Sequence, residues 1–315
     1  MSCDDALSHA VPAPALAPLV TVTRTGSTNS DLVDALTRDP AAATRQWPHL
    51  SALRALRQTA GRGRSGRAWV TPDDGALLVS VVLRPLVPSE RLAWLPLLAG
   101  LAVRDALAPL AEGLPWRLGT KWPNDVVAVP EDPAAVAAVP GWAGTRKIAG
   151  VLSELVTAEP FENRADGRLA PDEVPAGRDE APMVILGIGV NVGQEADDLP
   201  VAWAGSLRTL GVVDADGDPA HSAVTEAVLT AIGHQLVRRL GQWEEACGDV
   251  DAGDGILGRQ LRAVLTTLGQ QVSVQAPDGE LGGLAVDVTP ALVLRNQEGD
   301  TEVRAGDVTL VRVAG

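Results

Sequence analysis

The stretch QTAGRGRSGRAW, residues 58–69, carries a literal G-x-G-x-x-G at Gly61, Gly63 and Gly66. In a dinucleotide-binding fold such glycines open a helix, so that a pyrophosphate meets the helix N-terminus, and an acid follows about 20 residues on. Here they lead through AWVTPDDG into ALLVSVVL, residues 76–83, a Val-rich strand bounded by Asp73-Asp74-Gly75 and Pro85. No amphipathic helix follows, and position 86, where the acid is due, is Leu. The dinucleotide reading fails on context, and the loop has to be explained by its own chemistry.

Glycines let backbone N–H groups approach oxygen atoms, and arginines offer planar bidentate donors to phosphate or carboxylate. A solvated turn would account for exposure, but not for three glycines interleaved with Arg62, Arg64 and Arg67. The formal net charge is −14, which argues against general nucleic-acid affinity. A local cation cluster in such a chain points to a small anionic ligand.

Other function classes are excluded by composition. Cys3 and Cys247 are the only cysteines, too few for a disulfide framework, and no Cys/His cluster has zinc spacing. His9, His49, His221 and His234 are scattered and read as surface or helix residues. MSCDDALS has no basic segment of a signal peptide. The longest apolar run, LAWLPLLAGLAV at 92–103, is 12 residues, short of the roughly 18 that span a bilayer. A soluble, cytoplasmic protein with no membrane contact is expected.

At 315 residues the chain has room for one large domain and a small one. Residues 1–20 are Ala/Pro-rich and read as a disordered tail, with structure starting near Val20. TGSTNSDLVDAL reads as a loop entering a helix, with Ser27, Thr28 or Asn29 as N-cap. Strands are expected at 49–56, 76–83, 147–156 and 183–192, the glycines in the last two marking close backbone approach by a ligand. RLAWLPLLAGLAVRDAL reads as a buried helix kinked or delayed by Pro96. Val224, Val228, Ile232, Leu236 and Leu240 form one helical stripe closed by Gly241. Segments 129–144 and 157–182 read as insertions, the second mobile. From residue 268 the chain alternates in short segments between turns, as in a small β-barrel or sandwich.

Two short segments add to the glycine-arginine loop. KWPND, residues 121–125, places Lys, Asn and Asp beside a rigid Trp-Pro; alone it reads as a β-turn. KIAGVLSEL places Lys147 at the head of a core strand with Gly150 three residues on, a candidate for holding an acid group.

In this order TGSTN, RQTAGRGRSGRAW, KWPND, KIAGVLSE and GIGVNV resemble the biotin protein ligases, from about residue 21 to the C-terminus. The resemblance implies an α+β (mixed α/β) catalytic domain over 21–267, like that of class II aminoacyl-tRNA synthetases, and an SH3-like domain over 268–315. It implies two steps: biotin and ATP give biotinyl-AMP, and a carrier lysine then takes the biotin. Mg²⁺ is the implied metal, and the implied partner is a biotin carboxyl carrier protein or domain of acyl-CoA or pyruvate carboxylases. Some relatives carry an N-terminal helix-turn-helix; the roughly 20 residues before TGSTN are too few for one, so no DNA binding is expected. The assembly stays open between monomer and homodimer.

Carried over by motif, Ser27, Thr28, Asn29, Gln58, Arg62, Gly63, Arg64, Lys147 and Gly150 would contact biotin. Arg64 and Arg67 would reach phosphate oxygens, Trp69 would pack on adenine, and Lys121, Asn124 and Asn191 would hold the nucleotide. Lys147, Arg64 and Arg67 would be catalytic, and Asp125 would meet Mg²⁺. A lipoate–protein ligase lacks the GRGRxGRxW loop, and a non-catalytic biotin-sensing regulator would release no pyrophosphate; these features discriminate the alternatives.

Overall fold

The computed structural model describes residues 15–38, 45–71, 75–156, 169–213, 218–277 and 279–311. Expectations for Cys3, His9 and residues 157–168 lie outside them, as does the side chain of His221. Seven strands form one sheet: β1 (Leu19–Thr25), β2 (Ala52–Gln58), β3 (Ala76–Leu83), β4 (Trp116–Lys121), β5 (Asp125–Pro130), β6 (Arg146–Leu155) and β7 (Val184–Asn191). Their order is β1-β2-β3-β7-β6-β5-β4. Among these strands only the β1–β2 pair is parallel; with the helices packed on the sheet, the fold is the mixed α/β one expected.

Alternation along β3 assigns its two faces. Leu77, Val79, Val81 and Leu83 pack on one side against α2 (Leu95–Leu107) and α3 (Asp218–Glu245), within the main core. Val82 packs on the other side with Leu32 and Leu36 of α1 (Thr28–Arg38). The same alternation in β7 sends Val184, Leu186, Ile188 and Val190 to the core and leaves Gly187 and Gly189 on the α1 side. That side holds the cavity described below.

Three expectations change, and a fourth, that Pro96 delays its helix, holds. The chain is packed earlier than Val20: Leu16 is buried in the main core, and Ala17 N–H donates to the Leu50 carbonyl. Pro96 sits in the first turn of α2, where a missing N–H costs nothing, after a 3₁₀ segment Ser89–Trp94. Together with the turn after α2, Ser89–Ala111 is long and apolar enough to cross a membrane, but 61% of that window is buried inside the protein. Gly241 does not end α3; the helix continues to Glu245 and stops where Cys247 and Gly248 turn left-handed.

The described part of the second insertion is docked. Arg178 pairs with Glu244 of α3 and donates to the Arg84 carbonyl, while Glu90 N–H donates to the Pro171 carbonyl. Burial alone would raise the Glu244 pKa, but the Arg178 and Leu86 N–H hydrogen bonds overcome it and hold it below the usual value. His49, half-buried and in a turn rather than a helix, sits beside this pair. Burial, then Arg178, lowers its pKa to about 4.

After α4 (Ile256–Val264), five strands form a second, antiparallel sheet: β8 (Gln271–Ala276), β9 (Gly279–Val288), β10 (Leu292–Asn296), β11 (Gly299–Val303) and β12 (Asp307–Leu310). Its Val272, Val274, Ala285 and Leu292 join the same core as the large sheet. The edge strand β12 reaches the cavity.

Candidate functional site

A cavity of about 550 Å³ opens on the α1 face of the large sheet. Its lining brings together every site residue carried over from sequence: Ser27, Thr28, Asn29, Gln58, Arg62, Gly63, Arg64, Arg67, Trp69, Lys121, Asn124, Asp125, Lys147, Gly150 and Asn191. These come from five segments spread over 165 positions (27–191), so only the sheet topology can unite them.

One end is neutral and polar. Ser27 caps α1, accepting from Ser30 N–H at 3.4 Å. The Gln58 side-chain oxygen accepts from Thr28 N–H at 2.7 Å and faces its hydroxyl at 3.1 Å. The Asn29 side chain lies over Gly187, where a Cβ would come within 2.3 Å of its Oδ1. Glycine at 187 is therefore explained by a side chain of the protein itself.

The other end is cationic. Lys147 is held by its backbone, donating N–H to the Trp203 carbonyl and accepting from Gly205 N–H. Its Nζ lies 2.6 Å from Asp125 Oδ1, 5.4 Å from the centre of the Trp69 ring and 6.0 Å from that of Trp203. Trp69 in turn lies on Gly150 and Gly189, where Cβ atoms would approach its ring to 3.0 and 2.7 Å. The strand glycines thus clear room for an indole. Lys121 Nζ donates to the Val308 carbonyl at 2.6 Å and sits 4.1 Å from the Trp142 ring centre. Burial pushes its pKa below the usual lysine value, against the pull of Asp125.

The glycine-arginine loop has a definite shape. Gly61 is required because a Cβ would lie 2.5 Å from the Trp69 carbonyl oxygen, and Gly66 because its φ is +73°. Two of the three arginines are paired with carboxylates, and Arg64 still feels the charge of Arg67. Arg62 pairs with Glu154 at 2.8 Å and Arg67 with Asp307 of β12. Arg64 is partly buried, and burial lowers its pKa. Asn124 and Asn191 line the cavity but direct their amide N–H to the Val151 and Gly205 carbonyls, at 2.6 and 2.9 Å.

Sequence reasoning missed Trp142, Trp203, Asp307, Ser80 and Glu154. Trp142 and Trp203 stack with ring centres 4.5 Å apart and planes at 3°. Trp142 comes from the insertion 129–144, which carried no motif; only its lone tryptophan marked it. Among the described residues no three His, Cys, Asp or Glu side chains cluster as a metal site.

Such a site can hold a molecule with a neutral hydrogen-bonding head, an acid group at Lys147, and a phosphate-bearing aromatic partner between the arginines and indoles. A family model described as biotin/lipoate A/B protein ligase matches residues 32–164. Over 295 residues the chain is 33% identical to the biotin–[acetyl-CoA-carboxylase] ligase of Mycobacterium tuberculosis, covering 92% of this chain and 88% of that one. A protein of the same name from Paracoccus denitrificans is 29% identical, with 90% and 97% covered. The fold is similar to the biotin protein ligase of Aquifex aeolicus in complex with biotin and ATP, with a TM-score of 0.62, 25% identity and coverage of 93% and 98%.

Proposed function

Since the chain belongs to the biotin protein ligases, we propose that its cavity is where biotin meets ATP. The enzyme activates biotin as biotinyl-5′-AMP and transfers it to a lysine of a carboxylase carrier. The observation that carries the site assignment is Lys147, whose Nζ stands in the cavity 2.6 Å from Asp125 Oδ1 and 5.4 Å from the centre of the Trp69 ring.

In the first step a biotin carboxylate oxygen attacks the α-phosphorus of ATP; the new P–O bond forms as the bond to pyrophosphate breaks. Both partners are anions, so the site must neutralise charge that builds as they approach. Lys147, released from Asp125, bridges carboxylate and α-phosphate as an electrostatic catalyst. Arg64 and Arg67 hold phosphate oxygens, and Lys121, Asn124 and Asn191 complete the nucleotide subsite. Trp69 receives the adenine. Ser27, Thr28, Asn29 and Gln58 offer neutral partners to the ureido ring, with Arg62, Gly63 and Gly150 closing over it. In the second step the neutral ε-amine of the carrier lysine attacks the acyl carbon, an amide forms and AMP leaves.

A lone carboxylate suits a magnesium ion held mainly by phosphates and water, and Asp125 is the residue that would meet it. Once bound, the ion would neutralise phosphate charge. We also read residues 21–267 as a catalytic domain of the class II aminoacyl-tRNA synthetase type and 268–315 as an SH3-like domain. The acidic net charge of −14 favours a protein carrier over DNA, and a cytoplasmic location would give access to ATP. Incubation with biotin, ATP and Mg²⁺ should release pyrophosphate and yield biotinyl-AMP by mass spectrometry. A carrier domain added afterwards should gain one biotinyl group on lysine. No adenylate from the folded protein would overturn the reading.

A further inference from the structure

We propose that Ser80 and Glu154 are positioning residues for biotin: neither lines the cavity, and together they orient the Asn29 amide and the Arg62 guanidinium that do. This rests on the assignment of that wall to biotin.

Ser80 lies on β3 in a run of seven buried residues, Leu77–Leu83, and has no exposed surface. A hydroxyl there is costly unless it is bonded. Its Oγ lies 2.5 Å from Asn29 Oδ1 and 2.7 Å from Thr28 Oγ1. The Asn29 oxygen can only accept, so the Ser80 proton goes to it. On the other side Asn29 Nδ2 donates to Glu154 Oε2 at 2.7 Å. Glu154, which can only accept, specifies the end of the amide it faces, and the Ser80 hydroxyl follows by donating to the other. Turning the amide over would set Oδ1 against a carboxylate.

The second Glu154 oxygen takes Arg62 Nη2 at 2.8 Å. One carboxylate therefore fastens the glycine-arginine loop to the start of α1, while Ser80 fastens α1 to the sheet. The row continues from Ser80 through Thr28 to Gln58, whose oxygen is already fixed by Thr28 N–H. Four oxygens, those of Asn29, Ser80, Thr28 and Gln58, face one another in three contacts with only two hydroxyl protons among them. The row is one donor short, which leaves an oxygen open to a ligand N–H. Glu154 thus sets the polarity of the wall through Asn29, and Ser80 passes it on to Thr28.

The test compares wild type, Ser80→Ala and Glu154→Gln by calorimetry of biotin binding without ATP, by KM for biotin and for ATP, and by thermal melting. We expect the biotin Kd and KM to rise about tenfold in each variant, with the ATP KM within twofold and a modest fall in Tm confined to Ser80→Ala, which leaves the buried Asn29 oxygen without its donor. Biotin affinity equal to wild type would overturn the inference. So would biotin and ATP constants that rise together in step with a falling Tm, which is what a merely structural role would give. If wild type itself binds no biotin, the site assignment falls instead; if wild type binds and the variants match it, this inference alone falls.

Discussion

Lys147–Asp125 and Arg178–Glu244 are both cation–carboxylate pairs, 2.6 Å apart in the first and 2.7 Å at the Nη2–Oε2 contact of the second. Both are partly shielded from water, yet their surroundings differ. Arg178 also donates to the Arg84 carbonyl, and Glu244 also accepts from Leu86 N–H, so the pair ties an insertion to a strand end and to α3. Lys147 and Asp125 face open cavity, where an incoming anion can take the place of the Asp125 carboxylate beside Lys147. Bonds of one chemistry fasten the fold in one place and hold a binding site charged in the other. What separates them is whether the second shell is protein or ligand.

The largest effect should come from the cavity pair. Lys147→Ala should lower the rate of adenylate formation by two to three orders of magnitude, the scale of removing one positioned charge donor, measured as pyrophosphate release. Removing the lysine also leaves Asp125 without its partner, a cost to the fold. The double variant Lys147→Ala, Asp125→Asn should recover melting temperature while remaining inactive. Recovery of activity in the double variant would mean that Lys147 serves the fold.

Breaking the other pair should do the reverse. Arg178→Ala should destabilise by about 2–3 kcal/mol, somewhat under the cost for a fully buried pair, with adenylate formation per folded molecule unchanged. Denaturant titration beside single-turnover kinetics makes the separation. This corrects the expectation that the insertion 157–182 is mobile, since its described residues are held by α3 and by Arg84.

The same region should also set the acid limit. His49 accepts from Arg84 N–H through Nδ1 at 3.0 Å and is kept neutral, its pKa lowered to about 4. The unfolded chain takes up this proton near pH 6.5 and the folded chain only near 4, so stability falls as pH drops through that window. Above 6.5 both states are neutral and the contribution is whole. The loss should be on the order of 2–3 kcal/mol, read from denaturant midpoints between pH 7 and 4. His49→Asn should flatten the profile over that range. An unchanged slope would assign the acid loss to carboxylates such as Glu244.

How much of this was legible beforehand follows the same division. Gly61, Arg62, Arg64 and Trp69 could be read because they are contiguous, and the failure of a helix to follow them excluded a dinucleotide fold. β3 announced itself by a Val-rich run between turn residues, and the β-rich segment after 268 by alternation. Ser80 and Glu154 could not be read, because a serine in a Val/Leu strand and a glutamate at a strand end acquire meaning only once Asn29 packs between them. Gly241 was misread as a helix stop, since nothing local distinguishes a tolerated helical glycine from a cap until Gly248 is seen to turn left-handed. Trp142 was invisible for a third reason: its segment is irregular, and it reaches the cavity by packing Gly141 against Thr309 of β12.

That contact of the small sheet with the cavity gives the smallest expected effect and the finest test of the comparison. Arg67 and Asp307 join the loop to β12, and both side chains are well exposed, at 64% and 37%. An exposed pair contributes about 0.2–1 kcal/mol and is screened by salt. Asp307→Asn should therefore leave Tm almost unmoved. On the role proposed for Arg67, however, Asp307 holds the guanidinium that phosphate would claim, so ATP binding would break this pair. Asp307→Asn should then lower the KM for ATP two- to threefold, and Arg67→Ala should raise it about tenfold. In the Arg67→Ala background, Asp307→Asn should have no further effect on KM, because no cation remains to release. A KM that falls equally in both backgrounds would assign Asp307 a general repulsion toward ATP, and the pair would then belong with the fastening bonds of Arg178.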